Sequence, residues 1–336
     1  MKININSYSK GETLIILRSL LNENGFSVPR LMLVNCDDWF SDREKCLDII
    51  KHEFGSRRLI IRSSASDEDG DSQARAGEYD SVLNVSADHI DELSSAISLV
   101  IASYSSKGSG YKGQQVIVQE MVDSVSASGV MFTHELNHGA PYYVINYDDI
   151  SGSTNSVTSG NSEYSNRTIY VHRGVTENIR SDRFIRLIRA VQDLENIIGS
   201  HFLDIEFAID LDLQPHLLQV RSITTKSTWS STVTQRVDSE LRGIQFFVRE
   251  RFKPQFGVFG KTTVLGQMPD WNPAEMIGRA PRALSFSLYR CLITDDAWRV
   301  ARGTMGYAIP SGQPLMISQA GQPFIDTRLS FHSYLP

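Results

Sequence analysis

Apolar residues recur along this chain with two periods, and each predicts a different element. Leu14, Leu17 and Leu21 follow Ser9 at helical spacing. Ser9 and Glu12 have the S-x-x-E form of a capping box, so a helix is predicted to start just after Ser9. Gly25 and Pro29 punctuate the chain beyond it. Asp91 to Tyr104 reads as a second helix; Phe184, Leu187, Ile188, Val191, Leu194 and Ile198 form the apolar stripe of a third. Short apolar runs predict strands at Leu59 to Ile61, Val82 to Val85, Val116 to Gln119, Gly129 to Phe132 and Tyr142 to Asn146.

From Leu203 to Arg221 the pattern is that of two strands joined by the turn Leu211 to Pro215. Ile205, Phe207 and Ile209 share one face, which turns Asp204, Glu206 and Asp210 to the other. On the return strand Leu217, Gln219 and Arg221 share a side, so the simplest register brings Glu206, Gln219 and Arg221 together. Asp149 to Asn166 is rich in Ser, Gly, Thr and Asn and reads as a loop, placed where it could close over phosphates. After Ser227 the texture changes to a Ser/Thr-rich linker, a helix from about Glu240 to Phe252, and a Gly/Pro/Trp-dense stretch from Gly257 to Gly278. No internal repeat is found.

Composition narrows the class. Hydrophobic residues make up 41% of the 336, enough for a substantial core, and with 21% charged residues and no long apolar run a membrane-spanning chain is not expected. The formal net charge of −6 argues against bulk nucleic-acid binding. Three cysteines (Cys36, Cys46, Cys291) make no disulfide framework, and the start MKININSYSKGE has no apolar signal segment. The expectation is a cytoplasmic protein of two or more domains, with neither nucleic acid nor membrane as a partner.

Several residues carry candidate chemistry. Arg62 leaves a strand end beside Ser63, Ser64 and Ser66, and a guanidinium offers paired donors to phosphate oxygens. Gly77 would let backbone approach an anion closely. Glu206 with Gln219 offers hard oxygen ligands of the kind Mg²⁺ takes, with Arg221 beside them for a terminal phosphate and Lys10 as a further cation. Each has a plainer reading as well: a strand-end arginine is as readily an ion-pair partner, and a Glu-Gln-Arg face a solvated one.

The combination resembles a family. Ile61-Arg62-Ser63-Ser64-Ala65-Ser66-Asp67-Glu68-Asp69 is similar to the V-R-S-S-A-x-x-E-D motif of the ATP-grasp domain of phosphoenolpyruvate synthase and pyruvate phosphate dikinase. Ala76-Gly77-Glu78-Tyr79 with Leu83-Asn84-Val85, Val116 to Val122, Ser128-Gly129-Val130-Met131-Phe132-Thr133, Asp204 to Asp210 and Leu218 to Thr224 resemble further motifs of that domain in the same order. Lys10 with Leu14 stands where the family has G-G-K-x-x-x-L, although Tyr8-Ser9 replaces the glycine pair, and Ser222 replaces a usual proline.

The resemblance implies an α+β fold: an ATP-grasp nucleotide domain of two subdomains over residues 1–225, a linker at 226–239 and a smaller central, acceptor-side domain at 240–336. It implies ATP and Mg²⁺ as cofactors, with adenine near Gln119, Glu120, Met121 and Val122, and Gly77 in the nucleotide site. Lys10 and Arg62 would contact phosphates, Glu206 and Gln219 would hold Mg²⁺, and Arg221 would hold the γ-phosphate. Gly266 to Gly278, Ser287-Leu288-Tyr289-Arg290 and Ile293-Thr294-Asp295 resemble a branch found in bacterial surface-polysaccharide loci that includes an L-glutamine kinase. In this family a histidine in a T-S-H-x-A type motif relays the phosphoryl group. None of the eight histidines has those surroundings, so the chain is expected to be the leading portion of such an enzyme, with the phosphohistidine domain as a separate partner. A rifampicin-type phosphotransferase, a phosphoenolpyruvate synthase fragment and an inactive nucleotide-binding remnant are the alternatives.

Overall fold

The computed structural model describes residues 3–21, 25–64, 81–106, 110–150, 167–225, 229–267, 272–308, 314–319 and 321–335. Helices and antiparallel sheets alternate along the chain, the α+β class expected from sequence. By packing the chain divides into two units, Met1–Thr234 and Gln235–Pro336.

In the first unit, α1 (Lys10–Leu20) starts as predicted. Ser9 Oγ accepts from the Glu12 N–H at 3.3 Å, and the Glu12 carboxylate accepts from the Ser9 N–H at 2.9 Å. β1 (Leu31–Asn35), β2 (Arg58–Ser64), β3 (Ser81–Ser86) and β4 (Gln115–Glu120) form a four-stranded antiparallel sheet in the order β1-β4-β2-β3. Among its helices are α2 (Cys36–Ser41), α3 (Arg43–Phe54) and α4 (Ile90–Ser106), all contributing to one core. There Leu47, Ile50 and Phe54 of α3 and Leu93, Ile97, Val100 and Ile101 of α4 meet Leu59, Ile61, Val116 and Val118. Each of these apolar side chains contributes roughly 1.5–3 kcal/mol by leaving water.

A second antiparallel sheet has the order β7-β6-β5-β8-β9, built from β5 (Val125–Phe132), β6 (Tyr142–Asp148), β7 (Arg167–His172), β8 (Leu203–Asp210) and β9 (Pro215–Ser222). The stripe of α5 (Asp182–Ile198) packs with Ile205, Phe207, Ile209 and Leu217. The same core takes in Leu14 and Leu17 of α1 with Leu31 and Ile117 of the first sheet. α1 touches both β1 and β9, so one core binds the two sheets together. The loop expected at 149–166 lies outside the described residues from 151 onward. Asp149 at its entry bonds Arg183 at 2.7 Å and pairs with Arg167 at 3.3 Å.

Where the first unit ends, Trp229 rests against Gly139 and donates its indole N–H to the Leu136 carbonyl at 3.0 Å. Its ring lies near His134 and Phe202. Burial, with the charge of Arg173, pushes His134 down to about 4, so it folds neutral with Nδ1 at 3.0 Å from the His201 carbonyl. The unfolded chain then binds the extra proton first as pH falls. Stability is expected to decline between about pH 6.5 and pH 4, by about 3 kcal/mol. Chemical denaturation of wild type and His134→Phe at several pH values checks this, the variant showing the shallower decline.

The second unit has its own core of Val258, Tyr289, Trp298, Leu315, Met316, Ile325 and Leu329. Its helices are α6 (Val233–Arg251), α7 (Pro273–Ile277), α8 (Ala283–Tyr289), α9 (Ala297–Thr304) and α10 (Thr327–His332), with a π-helical stretch at Arg290–Asp295. β10 (Leu265–Gly266), β11 (Met316–Gln319) and β12 (Gln322–Asp326) form its sheet. α6 starts well before the predicted Glu240, so the end of the expected linker is helical; its first turn follows the Ser230 carbonyl, which accepts from the Val233 N–H. Asn272 caps α7, accepting from the Glu275 N–H, with Pro273 at the first helical position. Asp326 is fully buried between the Thr263 hydroxyl at 2.5 Å and Arg251 at 3.3 Å. Among the described residues no helix is long and apolar enough to cross a membrane.

Candidate functional site

Alternation along β2 builds one wall of a cleft. Leu59 and Ile61 are buried under α3 and α4, which turns Ile60 and Arg62 the other way, toward the second sheet. Ile60, Arg62, Gln119, Glu120, Met121, Val122, Glu206 and Leu218 line this cleft. The first six come from β2, β4 and the residues just after β4; the last two come from the β8/β9 hairpin.

The hairpin has the expected register. Glu206 stands opposite Gln219, and Asp204 opposite Arg221. Next along, Phe207 pairs with Leu217, so Leu218 is an extra residue bulged from the ladder. Arg62 crosses from the other sheet to meet all three consequences of this arrangement. Its Nη2 donates to Glu206 Oε2 at 2.7 Å and to Gln219 Oε1 at 2.9 Å, and its Nη1 donates to the Leu218 carbonyl at 3.1 Å. The Arg62 and Glu206 side chains are only 15% and 24% exposed, so the pair is weakly screened.

Arg62, Gln119 to Val122, Glu206 and Gln219 therefore come together, while the other expected members are placed differently. Arg221 lies beside Glu206 and Gln219 on the same face and is itself engaged by an acid. Its Nε donates to Asp204 Oδ2 at 2.6 Å, because register sets those two residues opposite each other. Asp204 shares the face of Glu206, and the register that sets Glu206 opposite Gln219 sets Asp204 opposite Arg221. Lys10 is the first residue of α1, half-buried and not among the cleft-lining residues. The following N–H, of Gly11, bonds Ser64 Oγ at 3.1 Å, which ties the start of α1 to the end of β2. Gly77 lies outside the described residues, as do Ser66 and Ser151 to Asn166.

Within Gln119 to Val122 the roles divide. The Glu120 carboxylate is taken by Arg57 at 3.2 Å and Arg30 at 3.4 Å, and the Met121 N–H by the Arg58 carbonyl at 2.9 Å. Gln119 is 1% exposed, yet among the described residues its Nε2 has no hydrogen-bond partner. A buried unpaired donor costs about 1–3 kcal/mol.

The donor set also suits a hard divalent cation. One nitrogen of Arg62 lies within hydrogen-bond distance of both the Glu206 and the Gln219 oxygens, so the two converge on a point where a cation already sits. No cluster of three or more His, Cys, Asp or Glu exists among the described residues, which leaves one carboxylate and one amide oxygen. That is the sparse set Mg²⁺ uses when substrate phosphates and water supply the rest.

Residues 43–148 match the family model described as pyruvate phosphate dikinase, AMP/ATP-binding domain. The match covers β2 and β4, with Arg62 and Gln119 to Val122, and supports ATP binding by an ATP-using enzyme. Glu206 and Gln219 lie outside it and reach the same cleft through the fold. No curated protein sequence matches the chain. Among solved structures, D-alanyl-alanine synthetase A from Vibrio cholerae is similar at 14% identity, covering 64% of this chain and 56% of its own, with a TM-score of 0.38. The VanG D-Ala:D-Ser ligase from Enterococcus faecalis aligns at 14% identity over 68% of this chain and 56% of its own, with a TM-score of 0.37. The RimK domain protein ATP-grasp from Sphaerobacter thermophilus aligns at 12% identity over 70% and 62%, with a TM-score of 0.35. The chain thus spans little more than half the length of these structures.

Proposed function

We propose that this cleft binds Mg·ATP in an ATP-grasp manner and that the chain is the ATP-binding kinase component of a phosphoenolpyruvate-synthase-like dikinase. The observation that carries this reading is the meeting of Arg62 with Glu206 and Gln219, residues 144 and 157 positions away in sequence. Residues 1–225 would form the nucleotide domain, and 240–336 the acceptor-side domain after a linker at 226–239.

Adenine would lie along Gln119 to Val122, where the Gln119 amide donates to a ring nitrogen. Arg62 would hold phosphate oxygens; Arg221 and Lys10 would reach them once nucleotide draws them from their present partners. Mg²⁺ between Glu206 and Gln219 would neutralise charge on the phosphates. Little covalent chemistry is asked of this chain: orientation and charge neutralisation supply most of the rate in phosphoryl transfer.

The group moved is the β-phosphoryl. A histidine nitrogen on a separate domain bonds to the β-phosphorus as the bond to the α-phosphate oxygen breaks, releasing AMP. Water then releases phosphate, and the remaining phosphoryl passes to a small acceptor. By the resemblance of 266–295 that acceptor is L-glutamine, for surface-polysaccharide phosphoramidate in the cytoplasm.

The test uses ATP labelled at the β-phosphorus, with a phosphohistidine domain supplied in trans. Label on the histidine with formation of AMP is expected, discharged on adding L-glutamine. Label retained in ADP would contradict the reading.

A further inference from the structure

The guanidinium of Arg62 occupies the point on which both proposed metal ligands converge, and the charge count around it is unforgiving. Arg62 and Glu206 cancel, as do Arg221 and Asp204 beside them, and Glu120 in the cleft wall is held by Arg57 and Arg30. A bare divalent ion entering this neutral cleft would have to displace Arg62 from Glu206 Oε2 and Gln219 Oε1. It would leave two net positive charges in a space where the arginine is 15% exposed. The guanidinium could not simply swing away, since its other nitrogen is held by the bulged Leu218 carbonyl. Polyphosphate changes both terms: it brings negative charge and offers Arg62 oxygens that suit its paired donors.

We infer that Arg62 is the resident cation of this site and bars free divalent metal from it, so that metal enters only together with a polyphosphate chain. The inference rests on the nucleotide reading of the cleft and adds its order of loading. Arg62 exchanges one set of oxygens, on Glu206 and Gln219, for another on phosphate, and the protein oxygens it releases become the metal's.

Mn²⁺ serves as the probe, its binding read by electron paramagnetic resonance without nucleotide. Wild type is expected to bind it weakly, and Arg62→Met about tenfold or more tightly. The gain should vanish in the double variant Arg62→Met/Glu206→Gln. Inorganic tripolyphosphate should raise the Mn²⁺ affinity of wild type by a similar factor and that of Arg62→Met far less. Circular dichroism and thermal melting establish that the variants fold. If Arg62→Met does not fold, Arg62→Lys is read instead, since a single ammonium cannot bond both oxygens as the fork does.

Equal Mn²⁺ affinity in wild type and the arginine variant, whether tight or undetectable, overturns the inference. A parallel calorimetric titration of wild type with Mg·ATP separates the two claims. ATP binding with equal Mn²⁺ affinities removes the gate and leaves the nucleotide site. Arg62-dependent Mn²⁺ binding without any ATP binding removes the nucleotide site and with it the loading order.

Discussion

Replacing Glu206 with Gln is expected to weaken Mg·ATP binding by at least about a hundredfold, roughly 2.7 kcal/mol. The substitution keeps the shape of the side chain and its place opposite Gln219. It removes a carboxylate that Arg62 bonds within the cleft, and a neutral amide is a far poorer ligand for Mg²⁺. What ATP binding remains should no longer depend on Mg²⁺. Arg62→Ala should also weaken Mg·ATP, by a comparable factor, because a charge-assisted bond to phosphate contributes about 1.5–3 kcal/mol. Its residual binding should stay Mg²⁺-dependent, since Glu206 is intact. Ligand-induced thermal stabilisation reads both: at free ligand a hundred times Kd wild type gains about 2.7 kcal/mol, and neither variant should at that concentration. An unchanged gain in Glu206→Gln would remove this residue from the site.

The second large effect concerns folding. Gly129 sits in β5, and a Cβ placed there would lie 2.0 Å from the Asn146 carbonyl oxygen and 2.8 Å from the Tyr147 Cα. Both are backbone atoms of the paired strand β6, so no side-chain rotation relieves the contact. Gly129→Ala must therefore push β5 and β6 apart within the five-stranded sheet that carries Glu206. We expect a loss above about 4 kcal/mol, against a total stability on the order of 5–15 kcal/mol. The variant should be poorly soluble or melt without a cooperative transition. The same exchange at Gly243, inside α6 with nothing near its missing Cβ, should have the opposite sign, stabilising by about 0.5–1 kcal/mol. Thermal melts of the two variants form the comparison, and a mild effect at Gly129 would mean that β5 and β6 are less closely held than described.

This glycine also shows what kind of information the sequence carries. Ser128-Gly129-Val130-Met131-Phe132-Thr133 is one of the family-like motifs, and in the structure its glycine serves close strand packing rather than chemistry. Local signals are legible where one element answers to one pattern. The capping box of Ser9 and Glu12, the stripe of α5 and the alternation of β8 need only neighbours a few residues away. The helices α2 and α3 and the strands β1 and β7 escape a reading of that kind. β1 is a brief apolar run, LMLVN, with no alternation to separate strand from helix, and β7 exposes much of its length.

Within the site, the pairing of Glu206 with Gln219 follows from hairpin register, and that much could be drawn from the residues. The link from either to Arg62 could not, because it depends on how two sheets close around α1. The pairing of Arg221 with Asp204 follows from the same register. The Leu218 bulge that frees a carbonyl for Arg62, by contrast, has no signature in composition or period.

The central claim is that one cleft, walled by β2, β4 and the β8/β9 hairpin, holds nucleotide. Co-crystallisation with Mg²⁺ and a non-hydrolysable ATP analogue tests it most directly. The account predicts adenine against Gln119 to Val122, phosphate oxygens on Arg62, and a metal ion between Glu206 and Gln219. Nucleotide bound elsewhere, or a cleft in which Arg62 still holds Glu206 and Gln219 at saturating ligand, would contradict it.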